Sequence, residues 1–417
     1  MEELFLEMLR VQERKNEWYK DTKGIQVSKK GTNKLAENIP FELSKSQIEA
    51  IEVITHDLGL KHAMNRLLEG DVGSGKTIVA VFAAYLAHLN GYKTLYMAPT
   101  EILANQHYKT FEDFLEGTDC KVLLKTSSNR VDLSSTHFDI VVGTHALLFN
   151  TKGLDKVGLI IIDEQHRFGV EQRAALRKIN KSGKTPNLLS MTATPIPRTL
   201  ALTLYGDLKI SSLTPIPSKK KLIHTRVVPD SRRDEAYKWI KAKNKSAFIV
   251  CPLIEESESD SLENVKAAET EYQNLKNGVF KGMKVGLLHG RMKSKEKEKV
   301  VKDFRDGKIK ILVSTPVIEV GIDIPHATIM VIESAERYGL AALHQLRGRV
   351  GRGGEEAFCM LFMSNFSKKA YSRLKNLERI DNGLELAEVD LKTRGQGDVY
   401  GTMQHGFKRM KVANIYD

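Results

Sequence analysis

Residues Gly70-Asp71-Val72-Gly73-Ser74-Gly75-Lys76-Thr77 constrain this chain more than any other stretch. A glycine, four residues and then Gly-Lys-Thr is the spacing of a phosphate-cradling turn between a strand and a helix. Arg66-Leu67-Leu68 predicts the strand. Thr77 to about Leu89, apolar on nearly every face, predicts the helix, and Asn90-Gly91 its end. Gly73 and Gly75 permit a backbone that a β-carbon would obstruct, so successive N–H groups can converge on a polyphosphate. Lys76 would bring a point charge to the β- and γ-phosphates and Thr77 a hydroxyl to Mg²⁺. The helix N-terminus adds the positive end of a dipole at the same place. The whole turn, with Asp71, Val72 and Ser74 in its span, is read as a nucleoside-triphosphate site.

A phosphate-binding turn of this kind belongs to a parallel α/β sheet, and the chain alternates accordingly. Strands are predicted at Thr94–Ala98, Cys120–Leu124, Asp139–Val142, Leu159–Ile162 and Leu188–Met191, with a helix at Glu101–Leu115. Continuous apolar runs are expected of strands buried on both faces. Ligands in such folds sit at the carboxyl ends of the strands, where Thr100, Thr144-His145, Asp163-Glu164 and Thr192-Ala193-Thr194 fall. Asp163 would hold Mg²⁺ through its water shell, and Glu164 would orient and deprotonate an attacking water. Gln165 and His166 are read as sensors of the γ-phosphate. Before the turn, Ser44 caps a predicted helix, and Gln47 is placed to match an adenine edge.

Ser211 to Lys221, with two prolines and a lysine run, reads as an interdomain linker. A second alternating series follows, with strands at Ala247–Val250, Lys284–Leu287, Ile309–Val313, Ile329–Ile332 and Phe358–Met363 and a charged helix at Lys293–Phe304. It has no second phosphate turn. Gln345-Leu346-Arg347-Gly348-Arg349-Val350-Gly351-Arg352 instead puts arginines three residues apart. On a helix they would project from one side, and a permanently charged guanidinium suits a transferring phosphoryl group. Thr315, Gly321 and Asp323 follow a strand and are expected to face the same cleft.

At 417 residues the chain has room for two or three domains. Lys and Arg number 64 against 52 Asp and Glu, and the resulting +12 favours a polyanionic partner. The longest apolar runs have the size of buried strands, not membrane spans. Cys120, Cys251 and Cys359 are far apart and in apolar surroundings, which predicts structural thiols in a reducing, cytoplasmic setting. Glu2 to Arg14 reads as a short amphipathic helix and Lys15 to Asn38 as a basic linker.

In this order the motifs resemble the superfamily 2 helicases and translocases, and within them the RecG family. Residues 70–77, Asp-Glu-Gln-His-Arg-Phe-Gly-Val at 163–170 and His-Gln-Leu-Arg-Gly-Arg-Val-Gly-Arg-Gly at 344–353 carry the resemblance. Ala193 to Thr199, Val317 to Asp323, and Asp390-Leu391-Lys392-Thr393-Arg394-Gly395 agree with it. The resemblance implies an α/β fold of two RecA-like parallel-sheet lobes with a short C-terminal helical extension. The implied limits are 1–39 for the helix and linker, 40–215 and 216–375 for the lobes, and 376–417 for a coupling region.

The family also implies ATP and Mg²⁺ as cofactors, with Lys76, Asp163, Glu164, Gln345, Arg349 and Arg352 as catalytic residues. Phe41 and Gln47 would join the turn in binding nucleotide. Thr100, Thr144, His145, Thr194, Thr315, Arg394 and Gly395 would contact or couple to DNA. Expected partners are double-stranded and branched DNA, with a wedge-bearing chain or a single-strand-binding protein besides. The expected state is a monomer without membrane attachment. Only Met1 to Asn38 precede the motor, so the family's wedge domain is expected to be missing. The 126–136 segment is shorter than the family's, and Pro316 and Gln396 depart from its usual residues. A transcription-repair translocase and a nucleotide-gated DNA-binding module remain the alternatives.

Overall fold

The computed structural model describes residues 9, 12–13, 16, 26–27, 33–144, 146–147, 153–164, 184–193, 208–214, 223–251, 260–316, 327–351 and 355–394. They form two compact units, one from residues 1–216 with 394–417, the other from 217–393.

In the first unit, seven parallel strands are β1 (Asn65–Gly70), β2 (Lys93–Met97), β3 (Val122–Lys125), β4 (Ile140–Gly143), β5 (Val157–Ile162), β6 (Asn187–Thr192) and β7 (Lys209–Leu213). Their order across the sheet is β3-β4-β2-β5-β6-β1-β7. Strands β1, β4, β5 and β6 are interior to the sheet and buried along their whole length; β4 and β5 are continuous apolar runs, whereas β1 and β6 also bury polar residues, Asn65, Arg66 and Glu69 in one and Asn187, Ser190 and Thr192 in the other. Four described helices serve this unit: α1 (Asn33–Glu37), α2 (Lys45–Leu58), α3 (Lys76–Leu89) and α4 (Glu101–Leu115). Helix α3 is buried from Ile78 to Ala87, so it is packed on all sides as its composition predicts.

Two polar ties set the register of this sheet. Asn187 is fully buried; its Oδ1 accepts from Met64 N–H at 2.8 Å and its Nδ2 donates to Gly158 O at 3.1 Å, joining the starts of β1, β5 and β6. Asp57 on α2 accepts from Arg66 of β1 at 2.7 Å and Lys209 of β7 at 2.9 Å. Burial pushes that carboxyl up, but the two cations outweigh it and hold it below its ordinary value.

The second unit is a six-stranded parallel sheet of β8 (Ile223–Pro229), β9 (Ser246–Val250), β10 (Val285–Leu288), β11 (Ile311–Ser314), β12 (Ala327–Ile332) and β13 (Ala357–Met363), ordered β10-β11-β9-β12-β13-β8. Its described helices are α5 (Arg233–Lys243), α6 (Asp260–Asn277), α7 (Ser294–Arg305), α8 (Leu340–Arg347), α9 (Lys368–Arg379) and α10 (Gly383–Arg394).

Several expectations change. Strands β7 and β8 have no counterpart among the predicted strands, and β7 occupies the opening of the stretch read as a linker. Both lie at sheet edges, and their Lys-Ile-Ser-Ser-Leu and Ile-His-Thr-Arg sequences, part-buried in the fold, lack a buried strand's apolar run. The C-terminal helical extension is not one continuous helix: α9 and α10 are separated at Ile380-Asp381-Asn382, where Asn382 Oδ1 accepts from Leu384 N–H at 2.8 Å and starts the second helix. Within the stretch read as a basic linker, Leu35 on α1 is fully buried, and Val27 N–H bonds Leu58 O at 2.9 Å. Of the predicted N-terminal helix, Leu9, Gln12 and Glu13 are helical and the remainder lies outside the described residues; Asn16, in the stretch read as linker, is helical too.

Candidate active site

The phosphate turn follows β1 directly. Gly73 and Gly75 have φ of +83° and +81°, the left-handed conformation that only glycine adopts at no steric cost. Lys76 Nζ donates to Gly70 O at 2.6 Å and Asp71 O at 3.1 Å, which folds the ammonium back into the loop it must serve. Ser74 Oγ is buried with no hydrogen-bond partner among the described residues. Thr77 lies one residue into α3, half-buried.

Gln47 is locked over this turn. It completes a capping box at the start of α2, its Oε1 accepting from Ser44 N–H at 2.8 Å while its own N–H donates to Ser44 Oγ at 3.3 Å. Its Nε2 donates to Ser74 O at 3.0 Å. A β-carbon at Gly75 would stand 2.1 Å from that Nε2, so the turn and the amide leave each other no slack. Phe41, half-exposed, sits edge-on to Phe114 at 6.2 Å between centroids.

Asp163 and Glu164 emerge from β5, two strands from β1 across β6. Asp163 is buried and its Oδ2 lies 2.9 Å from His107 Nε2, while its Oδ1 accepts from Glu164 N–H at 3.1 Å. Burial pushes this carboxyl up; the His107 hydrogen bond, the His107 charge and the Lys76 charge overcome that and hold it below the ordinary value. Glu164 has φ +53°, a conformation that non-glycine residues rarely accept, and its Oε2 accepts from Ala193 N–H at 3.3 Å. The end of β6 is thereby latched to the end of β5.

No sequence motif marks His107. It lies on α4, 56 positions before Asp163, with its ring 4.8 Å from that of Tyr96. Tyr96 is fully buried, its hydroxyl has no partner among the described residues, and burial with the nearby Asp163 and Glu164 charges pushes it well up. No local spacing announces such a pair.

The other expected positions divide. Thr100 caps α4, its hydroxyl accepting from Leu103 N–H at 3.3 Å. Thr144 is half-buried at the end of β4. Thr315 is buried after β11, and its Oγ1 has no partner among the described residues. Gln345 is buried on α8 with an Nε2 that has no hydrogen-bond partner among them, and Arg349 is buried just beyond that helix. The expected helical presentation is corrected for Arg349: α8 stops at Arg347, Gly348 caps it, and Gly351 turns with φ +73°. His145, Gln165, His166, Thr194, Gly321, Asp323, Arg352 and Gly395 lie outside the described residues. Arg394 closes α10, and its side chain is also outside them.

Arg347, the first arginine of that run, has a structural task. It donates to Leu377 O at 2.8 Å, Ile380 O at 3.1 Å and Asp381 O at 3.2 Å, holding the break between α9 and α10. Asp390 on α10 accepts from Leu340 N–H at 2.8 Å and so caps α8 from another helix. Arg373 on α9 spans Glu336 O at 2.7 Å, Tyr338 O at 2.8 Å and Asp390 at 3.4 Å. The helix carrying Gln345 is therefore fixed at both ends by α9 and α10.

Residues 44–203 match the DEAD/DEAH box helicase family and residues 231–354 the helicase conserved C-terminal domain. The ATP-dependent DNA helicase RecG of Thermotoga maritima is 46% identical over 405 residues, 94% of this chain and 51% of that protein. The RecG of Synechocystis is 44% identical over 395 residues, 92% of this chain and 47% of its own length. The chain thus spans about half the length of these curated relatives. A solved structure of RecG bound to a three-way DNA junction superposes with a TM-score of 0.80 at 40% identity, over 100% of this chain and 55% of that one. The yeast Dbp5 structure bound to RNA and ADP BeF3, at TM-score 0.60 and 16% identity over 88% of this chain and 100% of that one, shares the fold alone. With two parallel-sheet RecA-like lobes, the phosphate turn and the buried Asp163 beside Glu164 in place, the chain belongs to the RecG family of superfamily 2 helicases, of which it spans the helicase core.

Proposed function

We propose that this chain is an ATP-driven motor that moves on double-stranded DNA, with branched DNA such as forks and Holliday junctions as its substrate class. The observation that carries the reading is Asp163, a buried carboxylate kept ionised by His107 and Lys76 beside the phosphate turn. A charge stabilised at that position has a purpose if a divalent cation and a polyphosphate are bound there. The relatives are ATP-dependent DNA helicases, and the superposable RecG is bound to a three-way DNA junction; both support DNA as the track.

The residues fit Mg²⁺–ATP: the glycine cradle has no room for a β-carbon, Ser74 Oγ is a buried donor without a partner among the described residues, and Asp163 is a ready anion. Thr77 and Asp163 would hold the cation, which supplies charge neutralisation at the phosphates when bound. Lys76 exchanges its two carbonyl partners for phosphate oxygens. Glu164 positions and deprotonates the attacking water, and its bond to Ala193 N–H offers a way for the state of that carboxylate to reach the end of β6. Gln47 recognises the base from its fixed place above the turn, with Phe41 beside it. Arg349 and Arg352 supply positive charge to the transferring phosphoryl group, so hydrolysis depends on both lobes. Gln345 supports them from α8. Gly321 and Asp323 complete the nucleotide contacts. Thr100, Thr144, His145, Thr194 and Thr315 serve the DNA track, and Arg394 with Gly395 couples it to hydrolysis.

The test is ATP turnover with and without duplex DNA. Wild type should be stimulated by DNA, Lys76→Ala should be inactive, and Arg352→Ala should bind nucleotide yet turn over about a thousand-fold more slowly. A wild-type rate for Arg352→Ala would refute its assignment, and a wild-type chain indifferent to DNA would refute the motor reading.

A further inference from the structure

At the amino end of the first sheet, away from the phosphate turn, three ligand-type side chains converge. His88 lies in the last turn of α3, Cys120 just before β3 and Asp139 just before β4. One donor atom from each lies within 4.8 Å of the others. His88 Nδ1 faces Asp139 Oδ1 at 3.2 Å, and His88 Nε2 faces Asp119 Oδ1 at 3.3 Å. We propose that His88, Cys120 and Asp139 form a binding site for a borderline-soft divalent cation, Zn²⁺ above all, with Asp119 orienting the imidazole.

The donor set decides the class of metal. Imidazole, thiolate and carboxylate together suit zinc, whereas Mg²⁺ and Ca²⁺ require oxygen shells. Asp119 on the far ring nitrogen is the carboxylate–histidine arrangement that fixes the tautomer of a ligating imidazole. The backbone under two of the ligands is already set: Asp139 N–H bonds Lys121 O at 2.9 Å, Lys121 N–H bonds Asp139 Oδ2 at 2.8 Å, and Thr94 N–H bonds Asp139 O at 2.8 Å. Tetrahedral zinc bonds of about 2.0–2.3 Å would draw the three donors together by roughly an ångström, within reach of side-chain rotation. Water would complete the shell.

The thiol explains why a cation is preferred to a purely ionic cluster. Buried Cys120 puts a sulfur donor within 4.8 Å of His88 and Asp139, and a soft donor there serves a metal but no ion pair. A divalent cation among these donors would take the thiolate directly, releasing the proton to solvent. Cys251 and Cys359, also buried, belong to no such cluster of ligand-type side chains among the described residues. Bound zinc would pin the last turn of the phosphate-turn helix to the entries of β3 and β4.

The experiment titrates the chelator-treated full chain with Co²⁺ and then with Zn²⁺. One Co²⁺ per chain with a near-ultraviolet thiolate-to-cobalt band is expected, displaced by Zn²⁺ and weakening as pH falls. Cys120→Ser, nearly isosteric, should lose the band while keeping its circular dichroism and ATP turnover. His88→Gln should weaken binding at least tenfold. Zinc should also raise the melting temperature of wild type but not of Cys120→Ser. The proposal is overturned by the absence of a thiolate band, by a band that survives in Cys120→Ser, or by an ion-pair cluster only, to which neither Co²⁺ nor Zn²⁺ binds.

Discussion

Replacing His107 with alanine should loosen the first lobe and should do so in a pH-dependent way. His107 gives Asp163 its 2.9 Å hydrogen bond and its largest favourable charge, whereas Glu164 N–H at 3.1 Å and the Lys76 charge remain after the substitution. Stripping a buried charge of its sole partner costs about 3–5 kcal/mol. With two contributions retained, the loss falls to about 2 kcal/mol, the scale of one hydrogen bond to an ion. For a unit of this size that is a melting-temperature drop of about 4–8 °C at neutral pH. The folded carboxyl titrates below its ordinary value of 3.8, so its contribution is complete above that pH and disappears as pH falls through the lower folded value. The gap between wild type and His107→Ala should therefore be full at pH 7 and shrink on acidification below about pH 4. Thermal melts monitored by circular dichroism from pH 7 to pH 3 measure it. His107→Gln, which keeps a neutral donor, should recover part of the loss. Superposable melts, or a gap that stays constant with pH, would refute the coupling.

Gly75→Ala should abolish fluorescent-nucleotide binding, because the new methyl meets Gln47 Nε2 at 2.1 Å and the residue must hold φ +81°. Gly91→Ala is the control: its φ is +74° but nothing lies within 4 Å, so it should cost only about 1 kcal/mol and leave binding intact. Asp390→Ala removes the cap on Leu340 N–H and a partner of Arg373, and should destabilise the second lobe by about 1–2 kcal/mol, read as faster proteolysis of that lobe.

Strands such as β5, with Leu159-Ile160-Ile161-Ile162 buried throughout, can be read directly from sequence, since a strand covered on both faces has no polar alternation. Edge strands β7 and β8 cannot, because half-exposed positions admit lysine, serine, histidine and arginine. The phosphate turn and the Asp163-Glu164 pair are legible because adjacent residues carry their chemistry. His107 is not, since its meaning depends on α4, packed on β3 and β4, bringing the ring to Asp163 at the end of β5. The same holds for His88, Cys120 and Asp139, which are separated by 32 and 19 positions in sequence yet converge in space. Gln47 shows a subtler overlap: a residue read for base recognition is also half of a capping box and a strut for the turn. In the arginine run, spacing suggests a helix, but Gly348 ends it and Arg347 turns inward to bind carbonyls of α9 and the break after it.

The most direct measurement is displacement of a triplex-forming strand from duplex DNA. Wild type should displace it only with ATP and Mg²⁺, Lys76→Ala should not displace it at all, and Arg394→Ala should hydrolyse ATP substantially while displacing little. Displacement by Lys76→Ala, or none by a wild-type chain that hydrolyses ATP in the presence of DNA, would contradict an ATP-driven motor on duplex DNA.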